Sequence, residues 1–171
     1  ELANHADKNK SRIHLIGLLT QGVQHSSFKH LTALLKFFKN KAEKIFLHLF
    51  LDGKDSPPQS GLALLKKLEK EISEYRNVRI STLCGRNYGM DTENNYQTET
   101  QRAYNLIMRG ISIGNIKNKT NDYKKYIETL YQNNVSDNMI EPFVIDSEGI
   151  IQDNDAVLFF NFATDGMIQI V

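Results

Sequence analysis

Three short apolar runs, "IHLIGLL" (13–19), "KIFLHLFL" (44–51) and "VRISTLC" (78–84), recur along the chain, each followed by a polar loop and an amphipathic stretch. No other feature of the sequence limits the fold so sharply. Runs this short and this apolar suit strands buried on both faces of a sheet. The first two intervening stretches repeat their apolar residues at helical spacing. Phe28, Leu31, Leu34, Leu35 and Phe38 do so in "HSSFKHLTALLKFFKNKA", and Leu62, Leu65, Leu68 and Ile72 in "SPPQSGLALLKKLEKEISEYR". In the second stretch Ser56 is the expected N-cap and Pro57 the expected first-turn residue. Further helices are expected over "NYQTETQRAYNLIMRG", from Tyr96, Ala103, Leu106 and Ile107, and over "DYKKYIETLYQN". Segment 111–121 reads as polar and irregular. "EPFVI" and "AVLFFNF" read as two more strands, separated by the turn-rich "DSEGIIQDND". The alternation predicts an α/β fold, a largely parallel sheet flanked by helices on both faces and built from βαβ units.

A length of 171 residues, 40% of them hydrophobic, is enough for one domain with its own core. The balance of 21 basic and 20 acidic residues leaves a net charge of +1, which gives no electrostatic reason for nucleic acid or an anionic membrane as partner. Cys84 is the only cysteine, so neither an intrachain disulfide nor a cysteine zinc site can form. No apolar run approaches the roughly 20 residues of a membrane helix. The start, "ELANHADKNKSR", lacks the apolar stretch of a signal peptide and begins with Glu. The expectation is one soluble, cytoplasmic domain spanning 1–171, cut from or inserted in a longer chain.

In open α/β sheets, ligands bind beyond the carboxyl ends of the strands. Chemistry is therefore expected in "TQGVQHSS", "DGKDSPP", "GRNYGMDTE" and "NFATDG", each of which follows a strand. His25, near the start of a helix, reads either as an anion donor or as a capping or surface histidine, and position alone favours the latter. His14 and His48 lie inside apolar runs and read as satisfied core histidines. His30 has no acidic neighbour that would make a metal site. Asp52, Lys54 and Asp55 form either a solvated turn or a site in which Lys54 supplies a point charge and Asp55 an acceptor. Arg86 offers a planar fork to a carboxylate or phosphate, or is a surface arginine. No P-loop, dinucleotide fingerprint, zinc signature or nucleophile elbow is present.

Taken together, "HLIGLLTQGVQHSSFKHL", "LHLFLDGKDSPPQS", "LCGRNYGMDTE" and "DAVLFFNFATD" are more specific than any one loop. In this order and spacing, over residues 12 to 167, the chain resembles the substrate-binding domain of the cofactor-independent phosphoglycerate mutases. These are manganese enzymes of the alkaline phosphatase superfamily. The resemblance implies a glycolytic isomerase that interconverts 3-phosphoglycerate and 2-phosphoglycerate. It also implies a separate domain of the same parent chain that carries a serine nucleophile and two manganese ions. No catalytic residue and no metal is then expected in this chain, which alone should be inactive. By resemblance His25, Lys54 (where the family has arginine), Asp55 and Arg86 contact the substrate.

The chain also departs from that pattern. Thr92, Ala163 and Gly166 stand where the resemblance expects arginines, Gln21 where it expects aspartate, and Val23 where it expects glycine. Of five expected cationic positions, Lys54 and Arg86 keep a charge. A charge-assisted hydrogen bond contributes roughly 1.5–3 kcal/mol, so three lost arginines weaken such a clamp by orders of magnitude. The alternative is a degenerate, non-catalytic module of the same fold that binds a small anion or a protein partner.

Overall fold

A computed structural model describes residues 1–93, 95–112 and 122–171. Strands β1 (Ile13–Leu19), β2 (Ile45–Leu51), β3 (Val78–Gly85), β4 (Phe143–Val144) and β5 (Ala156–Phe159) form one sheet in the order β4-β3-β2-β1-β5. The pairs β1–β2, β1–β5 and β2–β3 are parallel, and only the two-residue β4 runs antiparallel, beside β3. The three apolar runs are thus the three central strands.

Alternation along these strands divides the core. Leu15, Leu19, Leu47, Leu49, Leu51 and Leu83 face helices α1 (Leu2–Asn9), α2 (Phe28–Phe38), α3 (Gly61–Ile72) and α6 (Tyr123–Gln132). Ile16, Leu18, Phe50 and Cys84 face the short α4 (Arg86–Gly89), α5 (Gln101–Arg109) and the C-terminal Met167 and Ile170. Helices therefore cover both faces, as the pattern predicts. Leu15, Leu35, Leu47, Leu65 and Leu68 are wholly buried, each contributing about 1.5–3 kcal/mol relative to exposure.

Three elements differ from the sequence expectation, and one expectation lies mostly outside the described residues. Helix α1 was not predicted, because among its residues only Ala6 is buried and no apolar stripe announces it. The helix expected over 95–110 is a π-helical turn, Tyr96–Thr100, followed by α5. Most of the expected irregular segment, from residue 113 to 121, lies outside the described residues. The largest correction concerns α3, which begins at Gly61 and not at Ser56 or Pro57. Its N-terminus is capped from elsewhere: the buried Asp137 carboxylate accepts from Gly61 N–H at 2.7 Å and from the Tyr131 hydroxyl at 2.5 Å. Burial raises the Asp137 carboxyl above its usual range despite the hydrogen bonds from Tyr131, Gly61 and Ser60. A cap 76 residues away leaves no local signature.

His14 and His48 are both fully buried and belong to a row across the middle of the sheet. Asp155, gripped by Arg12 Nη2 at 2.5 Å, lies 3.0 Å from His14 Nε2. His14 Nδ1 lies 2.9 Å from His48 Nε2, and His48 Nδ1 2.8 Å from the Thr82 hydroxyl. An ionised Asp155 only accepts, which fixes one consistent proton pattern. Thr82 O–H donates to His48, His48 Nε2–H to His14, and His14 Nε2–H to Asp155. Each imidazole is neutral and fully satisfied, as the core reading expects.

Candidate functional site at the carboxyl edge of the sheet

The register explains how the site assembles. Leu19 pairs with Leu51 and Leu51 with Gly85, so the next residues, Thr20, Asp52 and Arg86, lie side by side where three parallel strands end. Asp52 is the hub. Its Oδ2 accepts from the Thr20 hydroxyl at 2.6 Å, and its Oδ1 accepts from Arg86 Nη1 at 2.7 Å and from Asp55 N–H at 3.1 Å. Burial pushes its carboxyl up, but hydrogen bonds from Thr20, Ser56, Arg86 and the Asp55 backbone outweigh that and hold it below the usual carboxylate range. Asp52 therefore stays charged beneath the loop.

Two glycines make the approach possible. Gly53 turns the loop after β2 with φ +67°, a conformation that disfavours a side chain. A Cβ on Gly85 would come within 2.2 Å of the Asn138 carbonyl oxygen, so only glycine fits beneath Arg86. Ser56 helps to tie two loops together: its hydroxyl accepts from Gln21 N–H at 2.8 Å and lies 2.8 Å from the Thr20 hydroxyl. That engagement explains why Ser56 is not the α3 cap.

His25, Lys54 and Arg86 line one pocket of about 360 Å³, together with Asn87, Asp91, Glu93, Glu99 and Asp165. Asp55 accepts from Arg86 Nη1 at 3.0 Å. His25 sits between two carboxylates, with Nε2 3.7 Å from Asp55 and Nδ1 3.5 Å from Asp165. Neither contact is a hydrogen bond, and His25 Nδ1 is buried with no hydrogen-bond partner among the described residues. Lys54 is exposed, with no ion pair for its ammonium among the described residues. The loop after β5 joins here as well, since Phe162 N–H donates to the His25 carbonyl at 2.9 Å.

All four sequence-predicted residues thus come together. Arg86 is not a free surface arginine but is held at two carboxylates. What the sequence reading missed is the support beneath them: Thr20, and the role of Asp52, which it placed in the loop without a part of its own. Their shared signal was available: each directly follows an apolar strand run. Asp91 supports a neighbouring turn by accepting from Asn95 N–H at 2.7 Å and from the Gln169 side chain at 3.1 Å. Gly166 is buried, and a Cβ there would meet the Met90 methyl at 2.8 Å.

A larger cavity, about 910 Å³, opens between α1 and the end of α2, lined by Glu1, Asp7, Lys10, Phe37 and Lys41 among others. None of the strand-end loops reaches it, so it offers no preorganised cluster. Among the described residues no group of three or more His, Cys, Asp or Glu could hold a metal ion. No helix of the described residues is long and apolar enough to cross a membrane.

Comparison with known proteins gives one consistent result. The family described as BPG-independent PGAM N-terminus (iPGM_N) matches residues 1–171. A 2,3-bisphosphoglycerate-independent phosphoglycerate mutase of Legionella pneumophila (strain Lens) is 39% identical over 171 residues, covering 99% of this chain and 32% of its own length. The one from Mycoplasma genitalium is 44% identical over 165 residues, covering 94% of this chain and 31% of its own. A crystal structure of Leishmania mexicana phosphoglycerate mutase, determined at low cobalt concentration, superposes with a TM-score of 0.88 at 27% identity, over 99% of this chain and 32% of that one. The chain thus spans about a third of the length of the relatives it matches.

Proposed function

The chain belongs to the BPG-independent PGAM N-terminus family, and on that premise we propose that it is the substrate-binding domain of a phosphoglycerate mutase interconverting 3-phosphoglycerate and 2-phosphoglycerate. The observation that carries this reading is the convergence of His25, Lys54 and Arg86 on one pocket, with Asp55 bonded to Arg86. Phosphoglycerate presents a carboxylate and a phosphate, and these need several N–H donors fixed in advance. In this reading Arg86 supplies a planar fork and Lys54 a point charge. His25 supplies a ring N–H, and Asp55 holds the Arg86 side chain and accepts from a substrate hydroxyl.

The serine nucleophile and two manganese ions implied by the resemblance would lie in the rest of the parent protein. When bound, such ions stabilise the charge of a transferring phosphoryl group. The residues of this chain bind and orient the glycerate, so the domain alone would show no turnover. A cytoplasmic location is part of the same reading. The test is calorimetry of the full-length protein carrying this chain, titrated with 3-phosphoglycerate, wild type against Arg86→Ala. The expected result is binding that weakens tenfold or more in the variant. Equal heats from both would remove Arg86 as a ligand and the reading with it.

One observation favours a second reading. The pocket sets Asp91, Glu93, Glu99 and Asp165 against Lys54 and Arg86, while Thr92, Ala163 and Gly166 occupy positions where the resemblance expects arginine. Such a lining weakens the clamp for a doubly anionic substrate and suits a non-catalytic module of the same fold, a weak anion binder or an interaction surface. Retained binding of 3-phosphoglycerate by the full-length protein without isomerisation selects this alternative.

A further inference from the structure

Asp52 makes no contact that requires a ligand, yet it carries the most heavily bonded charge at this edge of the sheet. Its side chain is 1% exposed. Four donors converge on it: the Thr20 hydroxyl at 2.6 Å, Arg86 Nη1 at 2.7 Å, Asp55 N–H at 3.1 Å and Lys54 N–H at 3.3 Å. Three of these donors belong to residues that carry the proposed pocket. The fourth, Thr20, lies in the loop that leads to His25, and its own oxygen accepts from Gly22 N–H at 2.8 Å.

We propose that Asp52 is the positioning residue of this pocket: its buried carboxylate orients the Arg86 guanidinium and the Lys54–Asp55 backbone before any ligand arrives. The proposal rests on the phosphoglycerate reading of the pocket. An arginine side chain has several freely rotating bonds, and ordering it on binding opposes affinity. Asp52 and Asp55 both hold Nη1, and no other atom of the guanidinium donates a hydrogen bond among the described residues. The fork is thereby fixed at one corner, with its remaining N–H groups left for an oxyanion. Thr20 holds the Asp52 carboxylate in turn and is itself held by the Ser56 hydroxyl at 2.8 Å, so the order extends from β1 through β2 to β3.

A merely structural Asp52 would contribute stability but would not act through Arg86. The experiment therefore follows Arg86 directly in the full-length protein. Arginine-selective labelling and side-chain NMR, with the signal assigned by its loss in Arg86→Ala, read rotation of the Arg86 guanidinium. Slow rotation is expected in the wild type and at least tenfold faster rotation in Asp52→Asn. The same variants are titrated with 3-phosphoglycerate. Asp52→Asn should weaken binding about tenfold in the wild-type background and by no further factor beside Arg86→Ala, because coupled residues are non-additive. Unchanged Arg86 rotation in Asp52→Asn, or full additivity with Arg86→Ala, overturns the proposal. If Asp52→Asn does not fold, Thr20→Val removes one hydroxyl donor at similar volume and is read by the same two outcomes. A wild type that does not bind 3-phosphoglycerate would sink the functional reading alone, since the rotation measurement still decides what Asp52 does.

Discussion

Arg12, Asp155 and His14 form one cluster of this molecule; Arg86, Asp55 and His25 form another from the same residue types. The first begins where β1 and β5 start, with its contacts at 2.5 and 3.0 Å and the row continuing into the sheet through His48 to Thr82. The second lies where the strands end, and His25 stands 3.7 Å from Asp55 and 3.5 Å from Asp165. Every ring nitrogen of the inner row has a partner, whereas Nδ1 of His25 has none among the described residues. The inner row is closed and can take nothing more. The outer cluster keeps unused donors beside a pocket. The comparison teaches that residue type does not distinguish a closed cluster from an open one; the number of unsatisfied groups and access to them do.

Breaking the closed row should produce the largest effect, and on stability alone. His48→Ala leaves a void and strands His14 Nδ1 and the Thr82 hydroxyl without a partner, so the expected loss is about 3 kcal/mol. Denaturant unfolding checks this, and affinity for 3-phosphoglycerate in the remaining folded protein should not change. Arg86→Ala comes next and should divide its effect. Affinity should fall ten- to a hundredfold, and stability should also fall, because Asp52 is left as a buried charge without its cation. An affinity unchanged by calorimetry would place Arg86 with the structural cluster.

Acid separates the two clusters by a smaller step. Burial, aided by the charge of Arg12 and at His14 opposed by Asp155, holds both inner histidines below their ordinary value of 6.5. The unfolded chain therefore binds more protons below that pH, and stability falls as pH drops through about 6.5, by up to roughly 1.4 kcal/mol per unit for each histidine. Asp155 is held at about 2, where the Arg12 hydrogen bonds outweigh burial, so its contribution is lost only as pH falls from 3.8 toward that value. Unfolding midpoints measured from pH 7 to 4 should show this slope in the wild type, and a shallower one in a folded His48→Gln variant. Lys54→Ala should give the smallest effect. Its side chain is exposed, so stability should stay within about 0.5 kcal/mol, while affinity falls a few-fold.

The periodicity of the apolar runs was enough to read the sheet, its parallel core and the helices on both faces. Runs buried on two sides leave a signature in neighbouring residues that needs no knowledge of the partner strand. The short end strands, β4 of two residues and β5 of four, were legible too, within "EPFVI" and "AVLFFNF". Helix α1 was not, because its apolar contact is too narrow to stand out. A loop after a buried strand is where an α/β sheet exposes chemistry, and that pointed to the loops, while His25, Lys54, Asp55 and Arg86 were singled out by the resemblance.

Three matters were decided only by tertiary structure. One is the identity of the α3 cap, which Asp137 supplies from 76 residues away while the local Ser56 turns to Thr20 and Gln21. Another is the role of Asp52, which in sequence is one charge among three in a loop. It becomes the hub because the β1–β2–β3 register sets Thr20 and Arg86 on either side of it. The last is which groups satisfy the two core histidines, Asp155 and Thr82, and that His25 Nδ1 is left without a partner among the described residues. Sequence determines the strands through local periodicity, but hydrogen-bond satisfaction depends on groups brought together across strands, and only the folded register supplies those neighbours.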